Sequence, residues 1–206
     1  MDEVLPGVVR LREQREALTK HTILRAAREL FAERGYANTP VRLLAQRAGV
    51  ALQTVYATYG SKAGVLAAGM PDLLDHEAGV VELFASRDSI DDPVELVGLL
   101  AKIARQIRER CGDIIKIMRS GAAVDAAAVL AEGHRRRRLG ALSILERIET
   151  LGALGLPRDR AADIAVALST DEVCDVLVDQ GGWSYQEYED WLKATLAKQL
   201  LRPPAP

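Results

Sequence analysis

Apolar positions recur at three- and four-residue intervals along most of the chain, and no run sustains two-residue alternation, so the pattern predicts an all-α protein. From about Leu11 to Arg34, Ile23, Ala27, Leu30 and Phe31 form one apolar stripe among dense charges, and Gly35 is placed to end this helix as a left-handed cap. Pro6 and Gly7 predict a frayed start over Met1 to Val9. Thr39-Pro40 reads as an N-cap followed by proline at the first helical position, opening a short helix that Gly49 closes. A third helix runs from about Leu52 to Tyr59. Ser61 then caps a fourth, which begins at Lys62 and is interrupted by Pro71. Further helices are predicted near Pro93–Arg110, Asp113–Ala122, Ala126–Leu154, Asp159–Gln180 and Ser184–Leu201, before a proline-rich tail that cannot continue a helix. The expected organisation is a small N-terminal bundle, residues 1–61, followed by a larger one, residues 62–206, with no internal repeat.

The segment Val41–Gly60 holds the sharpest constellation. Two short helices joined by a tight turn must cross steeply, and each requirement has a suitable residue. Ala45 is small at the close approach, Gly49 supplies the turn where positive φ is needed, and Leu44, Ala48, Val50 and Val55 fill the wedge. That leaves Gln53, Thr54, Ala57 and Thr58 facing outward from the third helix, where a helix of this kind presents base-reading side chains to the major groove. Gln53 suits adenine, Ala57 a thymine methyl, and the two threonines bases or phosphates. Tyr56 and Lys62 are candidate phosphate anchors, as are Thr39 and Arg42 at the start of the second helix, where free N–H groups favour anions. Arg10, Arg12 and Arg15 are expected to ride ahead of the first helix and reach a neighbouring groove.

Charge is distributed to match. The net charge is −2, yet residues 1–62 carry ten lysines and arginines against six acids, a balance of +4, while the rest carries seventeen against twenty-three, or −6. A basic end for a polyanion and an acidic body for water is the implied polarity. Nothing approaches the roughly 20 apolar residues of a membrane span, and no signal-peptide pattern opens the chain. Cys111 and Cys174 lack metal-ligand spacing, so a cytoplasmic protein with reduced thiols is expected. With only His21, His76 and His134, and no nucleophile triad or glycine-rich phosphate loop, no catalytic residue, cofactor or metal is assigned.

Thr22–Tyr36, Thr39–Val50, Thr54-Val55-Tyr56 and Tyr59–Lys62 together resemble the TetR family of bacterial repressors over about forty ungapped residues. Gly182-Trp183-Ser184, Tyr188 and Trp191-Leu192 are similar to it less specifically. The resemblance implies a homodimer, with a helix-turn-helix domain that binds a double-stranded DNA operator and a C-terminal bundle for dimerisation and a small-molecule effector. Two positions depart from the family pattern. Ala51 stands where serine or threonine usually caps the recognition helix, at a cost of about 1 kcal/mol, and Tyr59 stands where phenylalanine is commoner.

For the C-terminal bundle the residues say less. Phe84 is the only aromatic residue between Ala63 and Gly182, so an aromatic cage is not expected and a small apolar effector is. Met70, His76, Met118, His134 and Trp183 are the candidate effector contacts. Arg135–Arg138 project around most of a helix circumference and are expected to pair with acids such as Glu132. Leu168, Val173, Val176, Leu177, Leu192, Leu196 and Leu200 mark the last helices as apolar on one face, for a dimer interface, an internal core, or both. The alternative reading keeps the DNA-binding half and has the C-terminal domain answer to a protein partner or to redox state.

Overall fold

The helix α1, Pro6–Arg34, begins earlier than the charge pattern predicts, because a proline in the first turn gives up no hydrogen bond that the helix needs. The computed structural model describes the backbone of residues 6–121 and 126–203, and the side chains of residues 12–120 and 131–203. Ile23, Ala27 and Leu30 are fully buried along one face of α1. Gly35, at φ 77°, turns the chain after it. Thr39 does not cap the next helix. Its side chain is fully buried and its hydroxyl donates to the Gly35 carbonyl at 2.8 Å, closing the C-terminal end of α1. Pro40 takes the N-cap position instead, ahead of α2, Val41–Ala48.

After α2 come α3, Leu52–Tyr59, and the short turn α4, Lys62–Gly64, which Ser61 caps by accepting from the Gly64 N–H at 3.0 Å. The expected interruption at Pro71 does not occur. Val65–Gly69 widen into a π-helical turn that leads directly into α5, Met70–Glu77, with Pro71 as its second residue. A proline offers no N–H to the preceding turn, and a local change of hydrogen-bond register is compatible with that loss.

Beyond Gly79 (φ 66°) lies α6, Val80–Ser86, which the apolar period does not foresee. Two expected helices are then merged into α7, Pro93–Gly121, kinked at Cys111 (φ −129°, ψ 18°). The remaining elements are α8, Ala126–Thr150; α9, Arg158–Leu168; α10, Asp171–Cys174, which continues as a π-helical segment over Asp175–Gln180; and α11, Tyr185–Leu200. Ser184 and Glu187 cap α11 reciprocally. Among the described residues the only extended pairing is an isolated bridge between Leu154 and Leu201.

The chain divides into two compact units, residues 1–73 with 113–129 and residues 74–112 with 130–206. In the first, Arg28 of α1 forks onto Asp113 of α7 through two bonds of 2.6 and 2.7 Å. In the second, Leu192, Leu196 and Leu200 are fully buried inside the chain, so the apolar stripe of α11 serves the core.

The arginine run on α8 resolves into separate ion pairs. Arg135 and Arg136 bind Glu132, Arg136 also reaches Asp75 of α5, Arg137 meets Asp171, and Arg138 meets Asp159 and Asp163 of α9. Hydrogen bonds from Arg135 and then Arg136 hold the Glu132 carboxylate down to about 2. A carboxylate made more acidic by folding contributes stability above its ordinary value and loses it as pH falls through the folded one. Thermal scans across pH 4.5 to 2 should therefore show the wild-type melting temperature falling more steeply than that of Glu132→Gln. Parallel curves would show that this cluster contributes nothing.

Candidate nucleic-acid interface

The turn between α2 and α3 is made by Gly49 at φ 67°, whose N–H closes back on Gln46 at 3.2 Å while that of Val50 reaches Ala45 at 3.0 Å. Leu44, Ala45, Ala48 and Val55 are buried in the wedge between the two helices. Arg47 fixes α2 to α1 by bonding Glu29 at 3.0 Å and Glu33 at 3.2 Å, a bracing that charge spacing alone does not reveal. Ala51 stands at the N-cap of α3 and supplies no side-chain cap, as its chemistry requires.

The outward face of α3 is the one expected. Gln53 and Ala57 are exposed, and Thr54 and Thr58 are half-buried. Thr58 donates its hydroxyl to the Thr54 carbonyl at 2.8 Å, so its oxygen remains as an acceptor. Tyr56 is 42% exposed, and Arg42 is exposed at the start of α2.

Two expected phosphate anchors are turned inward. Thr39 is buried as described above. Lys62 donates to the Tyr36 carbonyl at 2.7 Å and lies 4.3 Å from the centre of the Tyr36 ring, and burial lowers its pKa. It acts as a strut between the start of α4 and the turn after α1.

One feature of this surface is missed by the sequence reading. Residues 6–11 are not a separate arm but the opening turns of α1, and an open cleft of about 900 Å³ lies between residues 12–20 of that helix and α3. Arg12, Arg15 and Lys20 line one side, and Gln53, Thr54 and Ala57 the other. The side chain of Arg10 lies outside the described residues.

The five candidate effector residues differ in burial. Met70 is fully buried, Met118 and Trp183 are half-buried, and His76 and His134 are exposed. Trp183 packs edge-on against Trp191 at 6.3 Å. Both cysteines are buried and neither is in a disulfide, and burial pushes the Cys174 thiol up to about 11, the opposite of a redox-poised thiolate. Among the described residues no helix is long and apolar enough to cross a membrane, and no cluster of His, Cys, Asp and Glu is placed to hold a metal.

A helix-turn-helix that presents an exposed polar face on its second helix, flanked by arginines, defines a DNA-binding regulator. The comparisons narrow this class. Residues 23–68, the segment that contains the helix-turn-helix, match the family described as bacterial regulatory proteins, tetR family. Similar solved structures include SmeT, the repressor of the Stenotrophomonas maltophilia multidrug efflux pump SmeDEF, at 20% identity over 90% of this chain and 91% of that one, TM-score 0.64. NalD, the secondary repressor of the MexAB-OprM pump in Pseudomonas aeruginosa, is 22% identical over 90% and 96%, TM-score 0.60. FadR from Bacillus subtilis, in complex with stearoyl-CoA, is 16% identical over 85% and 96%, TM-score 0.66. At these identities the likeness establishes a shared fold. No curated protein sequence matches the chain.

Proposed function

We propose that the protein is a cytoplasmic homodimeric repressor that reads its operator with α3 and releases it when a small apolar molecule binds the helical region from residue 62 onward. The observation that carries the DNA half is the outward-facing row Gln53, Thr54, Ala57 and Thr58 on a helix braced by Gly49 and by the Arg47 pairs. In this reading Tyr56 and Arg42 hold phosphates. Thr39 and Lys62 support the geometry from inside, and a direct phosphate contact from Lys62 requires it to leave Tyr36.

Support for the effector half comes from two sources. SmeT has been solved as a complex with triclosan and FadR with stearoyl-CoA, two ligands with a large apolar part. In this chain the interior is aliphatic, and Phe84, its only aromatic residue between Ala63 and Gly182, is packed so closely on Gly140 that a Cβ there would lie 2.6 Å from the ring. Met118 and Trp183 are the candidates with surface left to offer. Met70 is enclosed by its own core, while His76 and His134 suit a ligand's polar end at the surface. For dimerisation, Val176 (54% exposed), with Val173 and Leu177 beside it, remains after α11 has spent its leucines internally. The redox alternative has no support at Cys174.

Changing Gln53 or Thr54 to alanine should weaken specific binding by roughly 1–3 kcal/mol, about 5- to 150-fold, with thermal stability unchanged. Competition binding against unrelated duplex measures this. Equal losses on both DNAs would remove base reading from these residues. Loss of the complex on titrating medium-chain and long-chain acyl compounds tests the effector class.

A further inference from the structure

The stripe of α1 that packs into the core changes character where the helix overhangs the helix-turn-helix. Ile23, Ala27 and Leu30 lie on one helical face and are fully buried. Continued toward the N-terminus, that same face carries Lys20, Thr19, Glu16, Arg15 and Arg12, at the helical spacing of three and four residues. These side chains line the cleft opposite Gln53, Thr54 and Ala57 of α3. Leu18, 66% exposed, points away from this face. The match to the family begins only at residue 23, so the overhanging turns lie outside the segment that the match covers.

We propose that this cleft seats one sugar-phosphate strand of the operator. The bases that α3 reads then lie on one side of that strand, and Arg12, Arg15 and Lys20 neutralise its phosphates from the other. The inference rests on the DNA-binding reading and adds three contacts to it. Arg12 to Lys20 spans roughly 12 Å along the helix axis, a reach comparable with two to three nucleotides of one strand. The chemistry suits an exchange of partners. Arg12 is held by Glu16 at 3.0 Å, with their side chains 82% and 57% exposed, and so exposed a pair contributes little to the fold. A phosphate therefore displaces Glu16 from Arg12 with little loss. Glu16 is the one acid among the described residues of this wall, and its carboxylate opposes an incoming phosphate.

The cleft therefore predicts effects of opposite sign from neighbouring positions. The probe is the duplex that the wild-type protein enriches from a random-sequence pool, and the readout is the slope of log affinity against log salt. Neutralising all three cations (Arg12→Gln, Arg15→Gln, Lys20→Gln) should make the slope about 2 to 3 units shallower per bound subunit, at about 0.9 per phosphate contact. Glu16→Gln should strengthen binding several-fold. Hydroxyl-radical footprints should shrink at the phosphates flanking the base-read positions in the triple variant. Because these side chains are exposed, circular dichroism melts should match the wild type. An unchanged slope in the triple variant overturns the proposal, as does weaker binding in Glu16→Gln. Failure of the wild type to enrich any duplex overturns the DNA-binding reading itself, and the two failures are distinguishable.

Discussion

Gly64→Ala should abolish operator binding and lower the melting temperature of the protein by roughly 6–12 °C, the shift that about 3 kcal/mol produces in a chain of this size. The reason is local and steric. A Cβ at Gly64 would lie 1.9 Å from the Tyr59 carbonyl oxygen and 3.0 Å from its carbon. That carbonyl is aimed at Gly64 because Gly60 reverses the chain after α3 at φ 70°. The Ser61 hydroxyl then holds the Gly64 N–H at 3.0 Å. Backbone cannot yield as a flexible side chain can, so either the turn opens or α3 moves, and both displace the base-reading face. Gly133→Ala is the matched control. Nothing lies within 4 Å of a Cβ there, so the substitution inside α8 should stabilise the protein by about 0.5–1 kcal/mol. Thermal melts and gel shifts on both variants decide the matter. Wild-type behaviour of Gly64→Ala would show that this turn is far softer than its geometry implies.

Asp175→Ala should be nearly as damaging, by about 2–3 kcal/mol in urea unfolding, without touching the DNA-binding helices. Arg108 is only 5% exposed and is held by Asp175 and by Asp179 at 3.0 Å, one turn further along the π-helical segment. Its Nε already has no hydrogen-bond partner. Removing Asp175 leaves a buried guanidinium with one carboxylate, itself 45% exposed and well solvated. The cost is that of an under-compensated buried charge, so the double variant Arg108→Met with Asp175→Ala should be more stable than Asp175→Ala alone. A double variant no better than the single one would locate the damage in lost packing rather than charge.

Much of the DNA-binding unit was legible because its signals are local. Gly49, Ala45 and Val55 mark the turn and the wedge through spacing alone, and the uncapped Ala51 is visible as a residue with no acceptor to offer. Thr39 shows where locality fails. A Thr-Pro pair reads as the start of α2, yet the same hydroxyl can bond backward to the end of α1, and burial against Leu30 and Gly35 selects that direction. Lys62 shows the same limit, because a cation after a helix-turn-helix looks unengaged until the Tyr36 carbonyl is found beside it. The helix through Pro71 depends on a π-helical register, which apolar period does not encode. The run Arg135–Arg138 announced its charge and its near neighbour Glu132, but not Asp75, Asp159 and Asp171, which tertiary packing brings to it. In α11 the leucine stripe was plain, but only the folded chain shows that it is consumed inside one subunit.

The central claim is that α3 reads a specific duplex as part of a dimeric regulator. Selection from a random pool of duplex DNA by the wild-type protein tests it most directly. The account predicts enrichment of a two-fold symmetric site with half-sites about one helical turn apart or a multiple of it. Its affinity should fall by roughly 10³- to 10⁵-fold between 50 and 200 mM salt. A pool that returns unenriched, or an affinity that ignores salt, would contradict it.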